Sequence, residues 1–184
     1  MKQQLYYFIL FLVGIGFASC SKDNDLPFQN DYDLSYSQWL KFKAANGDSY
    51  YYVVNNYSWV GASWETTITV NNGKVIRRSF KLSSSQGIDQ IPQEARAWTE
   101  EANAINTHEY SGAAGAFTLD QIYEKARTEW LQKRSKAQSY FEAKNNGLLS
   151  TCGYKEDGCV DDCFVGIRIT SIKPIEEPCM EEPK

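Results

Sequence analysis

The densest chemistry in this chain lies between Cys152 and Cys163, where three cysteines bracket four carboxylates, Glu156, Asp157, Asp161 and Asp162. Oxygen clusters of that type bind hard cations, so these four are the candidate ligands for calcium, the one cofactor that the sequence puts in question. The alternating ligands and terminal bidentate Glu of an EF-hand loop are missing, and an acidic turn tied by disulfides accounts for the same residues. Zinc is disfavoured because no cysteine pair with ligand spacing is matched by a second one. His108 is the only histidine, so any histidine general acid or base must be this one. Glu109 and Tyr110 adjoin it, and a small-residue run, residues 111–116, follows as either a flap or a plain connector. A nucleophile to go with it is not visible: no serine sits in a Gly-x-Ser-x-Gly elbow, and the cysteines are expected to be paired. Glu100 and Glu101 fall on an expected helix, where neighbours diverge, and read as a solvated face. No phosphate loop or dinucleotide glycine pattern occurs.

The cysteine count depends on the N-terminus. Lys2, an uncharged apolar stretch over residues 5–18 and the sequence Phe17-Ala18-Ser19-Cys20 read as a secretory leader ending in a lipoprotein-type processing box. Phe17 stands where such boxes carry Leu, Val or Ile. The stretch is short for a membrane-spanning helix, which needs about 20 apolar residues. Residues 1–19 are therefore expected to be removed and Cys20 to be lipidated, with palmitate among its acyl chains. Stable anchoring takes more than one chain, and a diacylated or triacylated cysteine meets that requirement. Four cysteines then remain, Cys152, Cys159, Cys163 and Cys179, an even number for an oxidising compartment. The expected pairing is Cys152 with Cys163, leaving Cys159 for Cys179. Pairing Cys152 with Cys159 and Cys163 with Cys179 is the competing connectivity.

Residues 21–31 are polar and read as a tether. Lys22 with Asp23 and Asp25 is similar to a signal that sends some lipoproteins to the outer face of the outer membrane. The formal charge of the chain is −4, and loss of the leader removes a lysine and no acid. A nucleic-acid partner, which needs a concentrated basic face, is therefore not expected.

The elements that would position these residues divide the chain into a leader (1–19), a lipidated cysteine and tether (20–32), one α+β domain (33–173) and a C-terminal tail (174–184). Asp33 is expected to cap a helix to about residue 45 in which Trp39 is a packing anchor, with Asn46-Gly47 ending it. A first strand covers residues 49–54. A hairpin follows, Trp64, Thr66, Ile68 and Val70 alternating up to the Asn72-Gly73 turn, with Val75 and Arg77 opposite Ile76, Phe80 and Leu82 on the return. A second helix is expected over residues 93–105. The longest, about 25 residues, starts at a Thr118/Gln121 capping box and ends at Asn145-Asn146-Gly147. Residues 148–154 and 164–172 read as an antiparallel pair. The expected fold is an antiparallel sheet of about five strands with one long and two shorter helices packed on it.

The ordered series Trp39, Tyr50-Tyr51-Tyr52, Val70-Asn71-Asn72-Gly73-Lys74-Val75, Thr118-Leu119-Asp120-Gln121-Ile122-Tyr123, Gly147-Leu148-Leu149, Cys152-Gly153-Tyr154 and Asp161-Asp162-Cys163-Phe164-Val165-Gly166 resembles an uncharacterised secreted and lipoprotein domain family of bacteria, prominent in Bacteroidetes. The resemblance spans about residues 35–172. It implies a cell-envelope location and this architecture, but no reaction and no site residues. The expectation is a membrane-anchored, non-enzymatic binding or envelope module, partnered by the membrane through its lipid and by a protein or glycan. The alternatives are a small envelope hydrolase using His108 and a calcium-stabilised module using the 156–162 loop.

Overall fold

The computed structural model describes residues 26–86, 90–108, 112–161 and 163–175. Its elements are helix α1 (Gln29–Ala45), strands β1 (Tyr50–Tyr57), β2 (Ser63–Asn71) and β3 (Lys74–Ser84), a single helical turn α2 (Gln93–Arg96), strand β4 (Ala97–Glu101), helix α3 (Leu119–Lys125) continuing into a π-helical turn (Ala126–Trp130), and strands β5 (Ala137–Glu142), β6 (Thr151–Glu156) and β7 (Phe164–Pro174). The strands form one antiparallel sheet in the order β4-β3-β2-β1-β7-β6-β5. The α+β class and the antiparallel sheet are as expected. The sheet has seven strands rather than about five.

Both extra strands occupy segments expected to be helical, and both are edges. Ala137 and Phe141 are four residues apart, a spacing that suits one face of a helix and one face of a strand alike. The helix stops at Trp130, where the Leu131 N–H reaches back to the Ala126 carbonyl and the Arg134 guanidinium takes the carbonyls of Glu129, Trp130 and Gln132. Asn145-Asn146-Gly147 accordingly ends no helix. Asn146 and Gly147 both have positive φ, 54° and 86°, and turn β5 into β6. In the other segment, pairing with β3 outweighs the helix propensity of residues 97–101. Trp98 and Glu100 then share a face, the first stacked on Phe80 and the second buried.

The first hairpin turns at Asn72 and Gly73 as expected, with φ of 47° and 73°. Its register shifts between Thr69 and Val70, so that Val70 faces Val75 while Ile68 faces Arg78. Val75 is thereby brought against the core instead of lying on the opposite face. At the N-terminus, α1 begins a turn before the expected cap. Asp33 accepts hydrogen bonds from the Gln29 side-chain amide, and Tyr32 is already core.

One face of the sheet carries the core: Tyr50, Tyr52 and Val54 from β1, Ile68 and Val70 from β2, Cys152 from β6, and Ile167 and Ile169 from β7. The helices cover it with Trp39, Leu119, Ile122 and Tyr123. Tyr123 joins three segments, since its hydroxyl donates to the Ser35 carbonyl (3.2 Å), shares a hydrogen bond with Ser35 Oγ (2.8 Å) and accepts from the Leu149 N–H (3.1 Å). The Thr118/Gln121 capping box is present in both directions. The run after residue 111 is pinned to the sheet: the Gly112 carbonyl accepts from the Trp64 indole (2.6 Å) and the Ala114 N–H donates to Thr66 Oγ1 (3.0 Å). Among the described residues no helix is long and apolar enough to cross a membrane.

Candidate binding groove

The face of the sheet opposite the core is open, and the end of the sheet nearest the β1–β2 and β6–β7 loops carries a groove of about 440 Å³. Tyr57, Trp59 and Trp64 line one side; Phe164, Arg168, Lys155 and Asp161 line the other. Soluble domains rarely leave large aromatics out in a group. Here Trp59 is 73% exposed and Tyr57 59%. Trp59 sits in the 58–62 turn, which is closed by the Ser58 N–H to the Ala62 carbonyl (2.8 Å) and by Gly61 at a φ of 95°. The buried Ala62 anchors that turn and leaves the indole outward.

The other wall follows from two glycines. Gly153 and Gly166 face each other across β6 and β7, and a Cβ on either would collide with the partner strand's backbone. The cleared strip is occupied by the Phe164 ring, which a Cβ on Gly153 would also meet. Two residues beyond Gly166 on the same face, the Arg168 guanidinium lies 3.8 Å from the centre of the Phe164 ring and 5.1 Å from that of Tyr57. Stacking of this kind fixes the plane of the guanidinium and leaves its N–H edge for a ligand. Gly166→Ala is expected to cost about 1–3 kcal/mol through overpacking and strain at a φ of 153°. Chemical denaturation checks this, and an unchanged midpoint would show that β6 and β7 separate without penalty.

The rim below is the β6–β7 loop, closed by a disulfide between Cys159 and Cys163, whose Cα atoms are 6.1 Å apart. This corrects both expected connectivities. Cys152 pairs in register with Ile167, four residues from Cys163 along β7, a distance of about 13 Å at strand rise and far beyond disulfide reach. Its side chain also turns into the core, where it is a free, fully buried thiol that burial pushes up to about 12. Cys159 is thus not left for Cys179, which lies outside the described residues. Cys152→Ser should cost about 1–3 kcal/mol by burying a hydroxyl without a partner, measured by thermal melting. A shift under about 0.5 kcal/mol would mean that the site supplies a hydrogen bond.

His108 is built into a stack on the far edge of the sheet. Its ring lies parallel to Trp98 at 4.2 Å, Trp98 stacks on Phe80 at 5.4 Å, and the Arg78 guanidinium is 5.0 Å from the Trp98 ring centre. Glu100, expected to be solvated, is buried beneath it and accepts the backbone N–H groups of His108 (2.7 Å) and Asn106 (2.8 Å) with Arg78 at 3.6 Å. Burial raises the Glu100 carboxyl, but those N–H groups and the guanidinium outweigh it and hold the group below the usual carboxylate range. His108 is 47% exposed, and its Nδ1 is 3.8 Å from a carboxylate that is already committed. Catalysis would call for about 3 Å. Glu109 and Tyr110 lie outside the described residues.

Of the four acidic candidates, Glu156, Asp157 and Asp161 are exposed and Asp162 lies outside the described residues. Among the described residues no three His, Cys, Asp or Glu side chains converge as metal ligands would. Asp161 instead lines the groove. Of the groove's aromatic residues the sequence pointed to Trp64 and Phe164 only as strand and motif positions and to Tyr57 and Trp59 not at all, although a Trp in a short glycine-containing turn, two residues after a Tyr that ends a strand, is a legible signal of exposure. Cys20 is also outside the described residues.

Comparison with family models, with curated proteins and with solved structures gives no match for this chain.

Proposed function

We propose that the chain is a lipid-anchored, non-enzymatic binding module of the bacterial cell envelope, held through Cys20 at the outer membrane, whose ligand site is the groove between the β1–β2 and β6–β7 loops. The observation that carries this reading is the grouping of Tyr57, Trp59, Phe164 and Arg168 at one end of the sheet, with Tyr57 and Trp59 largely exposed. Tyr, Trp and Arg are the side chains that dominate binding energy, because they combine a large rigid contact area with a polar handle. The β6–β7 wall of the groove is held by a disulfide at its rim and by the glycine-cleared stack beside it, which lowers the ordering cost of binding. The leader and Cys20 support the location, and the resemblance to a bacterial lipoprotein domain family supports it further.

The reading is tested by oxidative footprinting of Trp59 on intact cells and on purified protein. Protection of Trp59 on cells, with the exposed Leu34 on α1 equally reactive in both, is the expected outcome. Equal oxidation of Trp59 in both settings would count against the groove as the site.

A further inference from the structure

Resting on that reading of the groove, we infer that its ligand is a neutral saccharide. The groove offers flat apolar surfaces and planar polar groups side by side. Trp59 and Tyr57 are largely exposed, the second with Arg168 5.1 Å from its ring centre, and the C–H face of a pyranose can lie on such rings as other apolar faces do. Asn56, Asp161 and Arg168 supply an amide, a carboxylate and a guanidinium, with the Lys155 ammonium beside them. A hydroxyl is at once donor and acceptor, so a pair of vicinal hydroxyls is matched only by a site holding both acceptors and donors. Asp161 and the Asn56 carbonyl accept; Arg168, Lys155 and the Asn56 amide donate. The Arg168 N–H edge makes no hydrogen bond or ion pair among the described residues, so these donors are unspent.

Charge decides between ligand classes. Arg168 and Lys155 share the groove with Asp161, and Glu156 and Asp157 stand exposed on the loop behind them. An anionic ligand drawn to the two cations meets these acids, and a cationic one meets the guanidinium; interleaved signs repel both and leave an uncharged polar ligand. Size agrees, since the volume falls within the roughly 300–1,000 Å³ of small-ligand sites. A protein partner would have to extend well beyond the groove to reach a stable interface of about 1,000 Å².

The test uses the mature lipidated chain in a detergent without a sugar headgroup, titrated with cellohexaose, mannohexaose, hexa-N-acetylchitohexaose and, as the anionic probe, hexagalacturonate. The expected result is calorimetric binding of at least one neutral oligosaccharide. That binding should change less than about twofold between roughly 0.05 and 0.5 M NaCl, as befits an uncharged ligand. It should weaken at least about tenfold in W59A and in R168M, with melting curves unchanged. No heat from any neutral probe, or binding of hexagalacturonate alone with loss in salt, would overturn the saccharide. If Trp59 is nevertheless protected on cells, the groove stands as the site while the saccharide is overturned as its occupant.

Discussion

Trp39→Ala should lower the stability of the domain by about 3–5 kcal/mol, the usual cost of removing a buried indole. Trp39 has no exposed surface and touches every layer that α1 joins to the rest. Its ring is edge-on to Tyr50 at 5.1 Å and stacked on Tyr123 at 6.3 Å and Phe42 at 6.0 Å. The indole N–H donates to Asp120 Oδ1 (2.9 Å), and Lys43, which pairs with the same carboxylate and with Asp48, stands over the ring. The substitution therefore opens a cavity and unlinks α1 from α3 in one step. Against a typical total of about 5–15 kcal/mol it removes a large share, equivalent to a fall in melting temperature on the order of 10 °C. Trp39→Phe keeps most of the volume, and should recover more than half of the loss. A loss under about 1 kcal/mol for Trp39→Ala would mean that the helix layer holds without this residue.

Cys20→Ala should have the largest effect on location and almost none on folding. Each buried methylene of an acyl chain contributes about 0.8 kcal/mol to membrane affinity, so two or three chains hold a protein that a single chain would not. The described residues begin at 26, and Leu26 is the first of them that packs against the core. The variant should therefore leave the detergent phase in partition experiments while its melting curve matches that of the parent. Persistence in the membrane fraction would sink the lipoprotein assignment; a shifted melting curve would show that the N-terminal segment packs on the domain.

The sequence carried the features that local chemistry dictates. Asn72-Gly73 required a two-residue hairpin turn because both positions take positive φ, and the alternation of Thr66, Ile68 and Val70 then fixed which face is buried. Trp39 and the Thr118/Gln121 box were legible for similar reasons. What was not legible depended on distant partners. Ala137 and Phe141 satisfy helix and strand periods equally, and only docking beside β6 decides between them. The Asn146-Gly147 pair carries the same hairpin signal as Asn72-Gly73, and that signal is indistinguishable from a helix stop because both uses of glycine follow from the same conformational freedom. The cysteine pairing turned on strand register, which sends Cys152 inward and leaves Cys159 and Cys163 to close the loop alone. The groove was beyond reach for the same reason: Tyr57 and Trp59 lie about 100 residues from Phe164 and Arg168, and the adjacency of β1 and β7 brings them together.

The central claim is that this end of the sheet meets an envelope component. Benzoylphenylalanine introduced at position 59, which on irradiation inserts into nearby C–H bonds of protein and glycan alike, tests it in living cells. The same group at Thr69, on the open face of β2 away from the groove, is the control. The account predicts a discrete adduct from position 59 that disappears when Arg168→Met is added, and none from position 69. Adducts of equal yield from both positions, or none from position 59, would contradict it.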